Sequence, residues 1–279
     1  MNVGDALQAA GLDRREARLL LAAAAGISEG QLVAHPQREI DAASRARFDA
    51  WTTRRKRGEP IAYLLGRREF YGLSLDVTPA VLIPRHESEL LVERALERLA
   101  VRGPCRVLDL GTGSGALALA IKRECPSAQL VAVDASPPAL DVARGNARRL
   151  GLDIDWRESH WDWRESHWFS AVRGERFELI VSNPPYVALG DPHLAQGDLR
   201  FEPAAALIGG ADGLAAIRDI ARDAPAHLTP GGWLFLEHGY DQGDAVHGFL
   251  QTADFEEITA WRDLAGHPRV RGGRSVGSR

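Results

Sequence analysis

Sulfur is scarce in this chain of 279 residues, which has two cysteines and one methionine. Cys105 and Cys125 stand alone, without metal-ligand spacing, so a disulfide-built scaffold and a cysteine metal centre are both excluded and two reduced, buried thiols are expected. Long apolar runs are missing as well. Nowhere do the roughly twenty consecutive apolar residues of a membrane-spanning helix occur, and the N-terminus carries Asp5 where a signal peptide would be apolar, so a cytoplasmic protein is expected. An excess of positive charge is also lacking: 34 Lys and Arg stand against 38 Asp and Glu, for a net charge of −4. That balance gives no general pull towards nucleic acid, and DNA is not an expected partner. What remains is 45% hydrophobic and 26% charged, the composition of a soluble globular protein long enough for one large domain or two smaller ones.

From residue 1 to about 60, Ala, Leu, Arg, Gln and Glu dominate, and apolar residues recur at helical spacing in 17–25 and 42–51. A small helical domain is expected there, with a positive face from Arg14, Arg15, Arg45, Arg47, Arg54, Arg55, Lys56 and Arg57. Between Pro60 and Pro84 the pattern changes to short strand-like pieces broken by Gly and Pro, which reads as a hairpin and a connector. The domain boundary is expected near residue 75, dividing 1–74 from 75–279. From residue 104 strands alternate with helices, the order of a parallel sheet covered by helices. Strands are expected at 106–110, 129–134, 153–156, 179–182 and 232–237, with 256–260 and 269–272 closing the sheet.

The stretch Leu179-Ile180-Val181-Ser182-Asn183-Pro184-Pro185-Tyr186 organises the rest. A buried strand runs into two prolines, each with φ fixed near −65° and no N–H, and the residue before a proline is pushed into extended geometry. Asn183 is therefore held with its carboxamide aimed. The carboxamide oxygen and the Pro184 backbone C=O form a pair of acceptors for an –NH2 group, while Tyr186 offers a ring face for the planar group that carries it.

Gly111-Thr112-Gly113-Ser114-Gly115 is the second chemical signal. Glycines turn the backbone sharply and let it approach a bound molecule, and a helix N-terminus follows. The spacing is neither that of a dinucleotide fingerprint nor that of a phosphate loop, and it favours an uncharged or zwitterionic ligand tail. Asp134 ends the second strand of the alternating region, where a carboxylate accepts hydrogen bonds from both ribose hydroxyls of an adenosine. Asp109, just before the glycines, is a secondary candidate for orienting the ligand or closing the turn.

These residues resemble the class I S-adenosylmethionine-dependent methyltransferases. The resemblance implies an α/β fold with a doubly wound, mostly parallel seven-stranded Rossmann-like sheet, its first and fourth strands adjacent, and S-adenosyl-L-methionine as cofactor. Gly111–Gly115 and Asn183–Tyr186 would then face each other across one cleft. The Asn-Pro-Pro-Tyr elbow resembles that of enzymes methylating nitrogens conjugated to a π-system. Such a nitrogen is a poor nucleophile but hardly acidic or basic, so the site's contribution is orientation: Asn183 and Pro184 accept both N–H hydrogens, and Pro185 and Tyr186 shape the slot.

Gly58-Glu59-Pro60-Ile61-Ala62-Tyr63, Arg68-Glu69-Phe70, Val81-Leu82-Ile83-Pro84-Arg85, Asp191-Pro192-His193-Leu194, Gly197-Asp198-Leu199-Arg200-Phe201-Glu202-Pro203 and Leu236-Glu237-His238-Gly239 narrow the resemblance further. With the elbow they make this sequence similar, over nearly its whole length, to the peptide-chain release factor glutamine methyltransferases of the PrmC/HemK family. That implies methyl transfer to the glutamine of the Gly-Gly-Gln loop of bacterial class I release factors, with the helical domain helping to hold them. Two departures stand out. His86 replaces the family's usual proline after Arg85, and DWRESHW occurs twice in tandem, at 155–161 and 162–168. The family's single aromatic segment there lies beside the adenine. Trp168 keeps the downstream context and takes that role, with Trp161 as its rival, and the extra copy is expected to be an extruded loop. Arg85 and Glu89 would line the substrate entrance or form a plain ion pair, and Arg200 and Glu202 would order the loop over the glutamine. The competing functions are a ribosomal-protein glutamine methyltransferase, an adenine-N6 DNA methyltransferase and a non-catalytic adenosine-binding module.

Overall fold

The structure, a computed structural model, describes residues 1–102, 105–159 and 168–277. It divides into two compact units, Met1–Arg67 with Ala195–Phe201, and Arg68–Leu194 with Glu202–Arg279.

Five helices build the first unit: α1 (Val3–Ala9), α2 (Arg14–Ala25), α3 (Glu29–Ala34), α4 (Ala42–Lys56) and α5 (Ile61–Leu65). Asn2, Asp13, Ser28 and Asp41 cap the first four through their side chains, and Ser28 forms a reciprocal capping box with Gln31. Leu20, Leu21, Leu32 and Phe48 fill the core between them. The expected positive face is partly neutralised from within. Arg45 pairs with Asp49, Arg54 with Glu59, and Arg55 with both Glu16 and Asp198. Arg14, Arg15, Arg47, Lys56 and Arg57 stay exposed.

A hairpin of β1 (Arg67–Phe70) and β2 (Leu73–Asp76) follows, all of it but Arg67 in the second unit. Tyr71 and Gly72 turn it with φ of 48° and 70°, the two positive values of a tight hairpin turn. The division between units falls at Arg67/Arg68, ahead of the boundary read near residue 75. Packing decides this, because Phe70, Leu73 and Leu75 are buried in the second unit's core. Then come α6 (Glu89–Arg102), β3 (Arg106–Leu110), α7 (Ala116–Glu124), β4 (Gln129–Asp134), α8 (Pro137–Leu150), β5 (Asp155–Glu158) and β6 (Phe177–Ser182). The remainder comprises α9 (Ala204–Leu207), α10 (Ala215–His227), β7 (Leu228–Glu237), α11 (Gly243–Thr252), β8 (Phe255–Arg262) and β9 (Pro268–Ser275).

One sheet of seven strands runs in the order β5-β4-β3-β6-β7-β9-β8, with β9 antiparallel to both its neighbours and the other pairs parallel. This is the doubly wound α/β sheet that the sequence implied. Successive residues of β3 face opposite cores: Val107 packs with Leu179, Val181 and Phe235, whereas Leu108 and Leu110 pack with Val133, Ile180 and Leu234. Burial on both faces explains why these strands read as unbroken apolar runs. Burying each such residue contributes roughly 1.5–3 kcal/mol. The third strand of the alternating region sits slightly later than its expected 153–156, since β5 pairs Val131 with Asp155 and Asp134 with Glu158. The backbone winds outward from β3 to β5 and returns to β6 on β3's other side. Leu110 and Ser182 are register partners at the ends of β3 and β6, and the Ser182 hydroxyl donates to Leu110 C=O at 2.7 Å. Both chemical segments therefore leave the sheet side by side, at the point where ligands bind in such folds.

Candidate active site

Gly111, Gly113 and Gly115 have φ of 72°, 57° and 84°, where a side chain would be strained. Each has its own use. A Cβ at Gly115 would press on Leu119, Trp156 and Ala143, and one at Gly111 would lie 3.3 Å from the Trp168 ring, while Gly113 faces open space. Thr112 and Ser114 turn inward: the Thr112 hydroxyl donates to Asp109 Oδ2 at 2.7 Å, and Ser114 C=O accepts Asn146 Nδ2 at 3.0 Å. Of the five loop residues only Gly111 and Gly113 line the adjoining cavity, so Thr112, Ser114 and Gly115 shape the turn from behind.

That cavity measures about 290 Å³, the low end of the range for small-ligand sites. Its floor is Gly111, Gly113 and Val133, and one wall is Asp134 with Ser136 and Ala139 at the start of α8. Trp168 and Ser159 form a second wall, Ala80–Leu82 and Pro203–Ala206 close it further, and Asn183 and Pro185 stand at its elbow end. Trp168 lines this wall at 8% exposure, whereas its rival Trp161 lies outside the described residues.

Asp134 fixes the wall. Its Oδ2 accepts from Gly113 N at 2.8 Å and its Oδ1 from Ser136 N at 2.9 Å, so one carboxylate ties the glycine turn to α8. Burial pushes its pKa up, against those backbone hydrogen bonds. Asp109, fully buried, accepts from Thr112 and, at 3.2 Å, from Ala118 N through Oδ2, and its Oδ1 has no partner among the described residues. Burial pushes Asp109 up to about 7.

At the elbow, Asn183 Nδ2 donates to Ser88 Oγ at 3.0 Å, which leaves Oδ1 as the carboxamide's available acceptor. The Tyr186 hydroxyl donates to Glu237 Oε1 at 3.1 Å, and Tyr186 C=O accepts from Gln242 Nε2 at 2.9 Å. Two glycines hold the elbow's backbone by their lack of a side chain. A Cβ at Gly209 would meet Pro185 C=O at 2.4 Å, and one at Gly213 would meet Tyr186 C=O at 2.5 Å. Pro184 and Pro185 are buried, and Pro185 lines the cavity while Pro184 and Tyr186 do not.

The connector residues take separate parts. Glu202, with a fully buried carboxylate, accepts from Ile83 N at 3.0 Å and pairs with Arg85, so it anchors the cavity wall at Ala80–Leu82. His86 contacts Glu89, whose Oε1 also accepts Tyr71 N at 3.0 Å. His86 and Glu89 therefore clamp the hairpin and do not line the cavity. Arg200 bonds Arg57 C=O in the helical unit, apart from the role expected of it beside Glu202.

Comparison with known proteins adds independent findings. Residues 2–66 match the model of the PrmC N-terminal domain, and residues 86–206 match that of the methyltransferase small domain. The release factor glutamine methyltransferase of Burkholderia pseudomallei is 52% identical over 278 residues, covering 97% of this chain and 95% of that protein. Its counterpart in Xylella fastidiosa (strain Temecula1) is 51% identical over 267 residues, covering 95% and 94%. The chain belongs to the release factor glutamine methyltransferase family. It is accordingly a methyltransferase. The sheet is shared more widely: the T. thermophilus 16S rRNA N2 G1207 methyltransferase, solved with AdoMet and guanosine, matches at a TM-score of 0.52 with 24% identity, covering 75% of this chain and 49% of that one.

Within this family member, reading the sequence alone missed Gln242, Gly209 and Gly213 as supports of the elbow, and Ser88 as the partner of Asn183. No spacing signals a serine separated from its asparagine by 95 residues. The Gly209–Gly210 pair was the one visible hint, since adjacent glycines mark a place where another backbone comes close.

Proposed function

We propose that this protein binds S-adenosyl-L-methionine in the 290 Å³ cavity and methylates the side-chain amide nitrogen, N5, of the glutamine in the Gly-Gly-Gln loop of class I release factors. The observation that carries this is the elbow: Asn183 is held by Ser88 through Nδ2, with Oδ1 available beside the cavity. The cavity's residues suit the cofactor. Asp134 offers its remaining lone pairs to ribose hydroxyls, the buried Trp168 ring offers a stacking face for adenine, and Gly113 leaves open space for close approach. When bound, the cofactor supplies an electrophilic methyl group.

The protein's own part is orientation. A primary amide carries two N–H hydrogens and a lone pair delocalised into its carbonyl. Asn183 Oδ1 accepts one hydrogen and Pro184 C=O the other, which fixes the plane of the amide and turns the nitrogen's face to the methyl carbon. Pro185 and the Tyr186 ring bound the slot. No general base is needed before attack, because the nitrogen becomes acidic only once alkylated and its proton then passes to water. Positioning of this kind lowers the barrier by several kcal/mol, on the order of a thousandfold in rate.

Release factor as protein substrate and a cytoplasmic location both follow from this reading. Among the described residues no helix is long and apolar enough to cross a membrane. The experiment is transfer of labelled methyl from S-adenosylmethionine to a purified class I release factor, its Gly-Gly-Ala variant, a ribosomal-protein substrate and double-stranded DNA. Label confined to the intact release factor is expected; label in DNA or ribosomal protein instead would move the function to that substrate.

A further inference from the structure

A carboxamide is nearly symmetric in shape, so something must decide whether its oxygen or its nitrogen faces the substrate. For Asn183 the deciding contact is Ser88, yet a hydroxyl both donates and accepts, and by itself it selects neither direction. The selection comes from the group behind it. Glu237, at the end of β7, is 1% exposed; its Oε1 receives the Tyr186 hydroxyl, and its Oε2 has no partner at hydrogen-bonding geometry among the described residues. Ser88 is 5% exposed and sits beside this carboxylate, where its hydroxyl favours the charged form. The Ser88 oxygen already receives a hydrogen from Asn183, so the serine's own hydrogen needs an acceptor, and the Glu237 carboxylate beside it keeps one oxygen without a partner at hydrogen-bonding geometry among the described residues. An ionised carboxylate only accepts. The direction of the whole relay follows: Glu237 receives from Ser88, Ser88 receives from Asn183 Nδ2, and Oδ1 is left for the substrate.

We infer that Glu237, acting through Ser88, sets which way the Asn183 carboxamide points and so keeps an acceptor facing the substrate amide, making Glu237 and Ser88 positioning residues for methyl transfer. The same carboxylate holds the Tyr186 hydroxyl, so both ends of the elbow are referred to one buried group. This inference rests on Asn183 Oδ1 being an acceptor for the substrate.

The relay has a protonation state in which it fails. A protonated Glu237 can donate to Ser88, which frees Ser88 to donate to Asn183 and reverses the carboxamide. Burial pushes Glu237 up to about 7; the Ser88 and Tyr186 hydroxyls and the Arg269 guanidinium on β9 oppose the rise, and Glu87 adds to it. Neighbouring His238 is turned to Gly239 C=O at 2.7 Å. Turnover at saturating cofactor is thus expected to fall as the pH drops below about 7.

The test compares wild type, Ser88→Ala, Glu237→Gln and Asn183→Ala for methyl transfer to a release factor at saturating S-adenosylmethionine between pH 6 and 9, alongside the cofactor Kd and the melting temperature. Glu237→Gln keeps the residue's size but can donate to Ser88. Both Ser88→Ala and Glu237→Gln are expected to lower kcat about tenfold, with KM for the release factor and cofactor Kd within twofold of wild type. Glu237→Gln is further expected to lose the acid limb, although Asp109, which also titrates near 7, is intact in it. If Glu237→Gln keeps wild-type kcat or keeps the acid limb, the relay is overturned, and that variant decides the matter should Ser88→Ala fold poorly. Full turnover by Asn183→Ala would instead overturn the acceptor reading on which the inference rests.

Discussion

Removing the Asp109 charge is expected to stabilise the ligand-free protein at alkaline pH, although Asp109, near the end of β3, braces the glycine turn through Thr112 and Ala118. Its carboxyl is fully buried and is raised from 3.8 to about 7, chiefly by burial, with the Thr112 and Ala118 hydrogen bonds opposing and the Asp134 charge adding. The folded state therefore keeps a proton that the unfolded state has released. Stability contributed by this group is complete below pH 3.8 and is lost as the pH rises to about 7, by about 4 kcal/mol in all. Asp109→Asn has no such loss. Its –NH2, placed where the unpartnered Oδ1 lies, finds no acceptor and costs roughly 1–3 kcal/mol at every pH. The variant should accordingly be the less stable protein at pH 4.5 and the more stable one at pH 8, the difference moving by about 3 kcal/mol between them. Urea unfolding at pH 4.5, 6 and 8, followed by the fluorescence of the second unit's tryptophans, measures this. Glu237 titrates in the same range in both proteins and cancels. A difference that stays constant across the pH series would refute the burial argument.

Other perturbations probe the cavity walls. Trp168→Ala removes a nearly buried ring packed against Gly111, and should cost about 3–5 kcal/mol of stability and raise the cofactor Kd at least about tenfold by calorimetry. An unchanged Kd would mean that Trp168 only fills the core. Glu202→Ala leaves Arg85 and Ile83 N without their partner and is expected to destabilise by about 2–3 kcal/mol in thermal melts, Arg85 being partly solvated. It should also loosen the Ala80–Leu82 wall, so cofactor KM rises more than kcat falls. Gly213→Ala sets a Cβ 2.5 Å from Tyr186 C=O at a positive φ, and should lower turnover through the elbow while the sheet's amides keep their hydrogen-exchange protection.

Local patterns made much of this molecule legible before its structure. Alternating strands and helices, apolar runs buried on both faces, the glycine turn and the Asn-Pro-Pro-Tyr elbow are each encoded within a short run of neighbouring residues. They gave the sheet and its two chemical segments, and β3 and β6 bring those segments together as expected. What was not legible depends on distance along the sequence. Ser88 reaches Asn183, and Glu202 reaches Ile83, only through the folded sheet. Thr112 and Ser114 read as ligand contacts because they lie between glycines, but the left-handed turn points their polar groups inward to Asp109 and Asn146. Arg85 and Glu89 read as entrance residues or as a plain ion pair, whereas the nearby hairpin amide claims Glu89 and the distant Glu202 pairs with Arg85. The boundary near residue 75 followed the composition shift; the contacts follow the apolar face of β1 and β2.

In the proposed reaction Asn183 contributes orientation and not cofactor affinity or fold. The most direct measurement is the rate of methyl transfer from S-adenosylmethionine to a class I release factor by Asn183→Ala, under single-turnover conditions, with cofactor Kd measured on the same preparation. A rate reduced about a thousandfold with Kd within about threefold of wild type is expected. A rate near that of wild type, or a loss matched by an equal weakening of cofactor binding, would rule out an orienting role for Asn183.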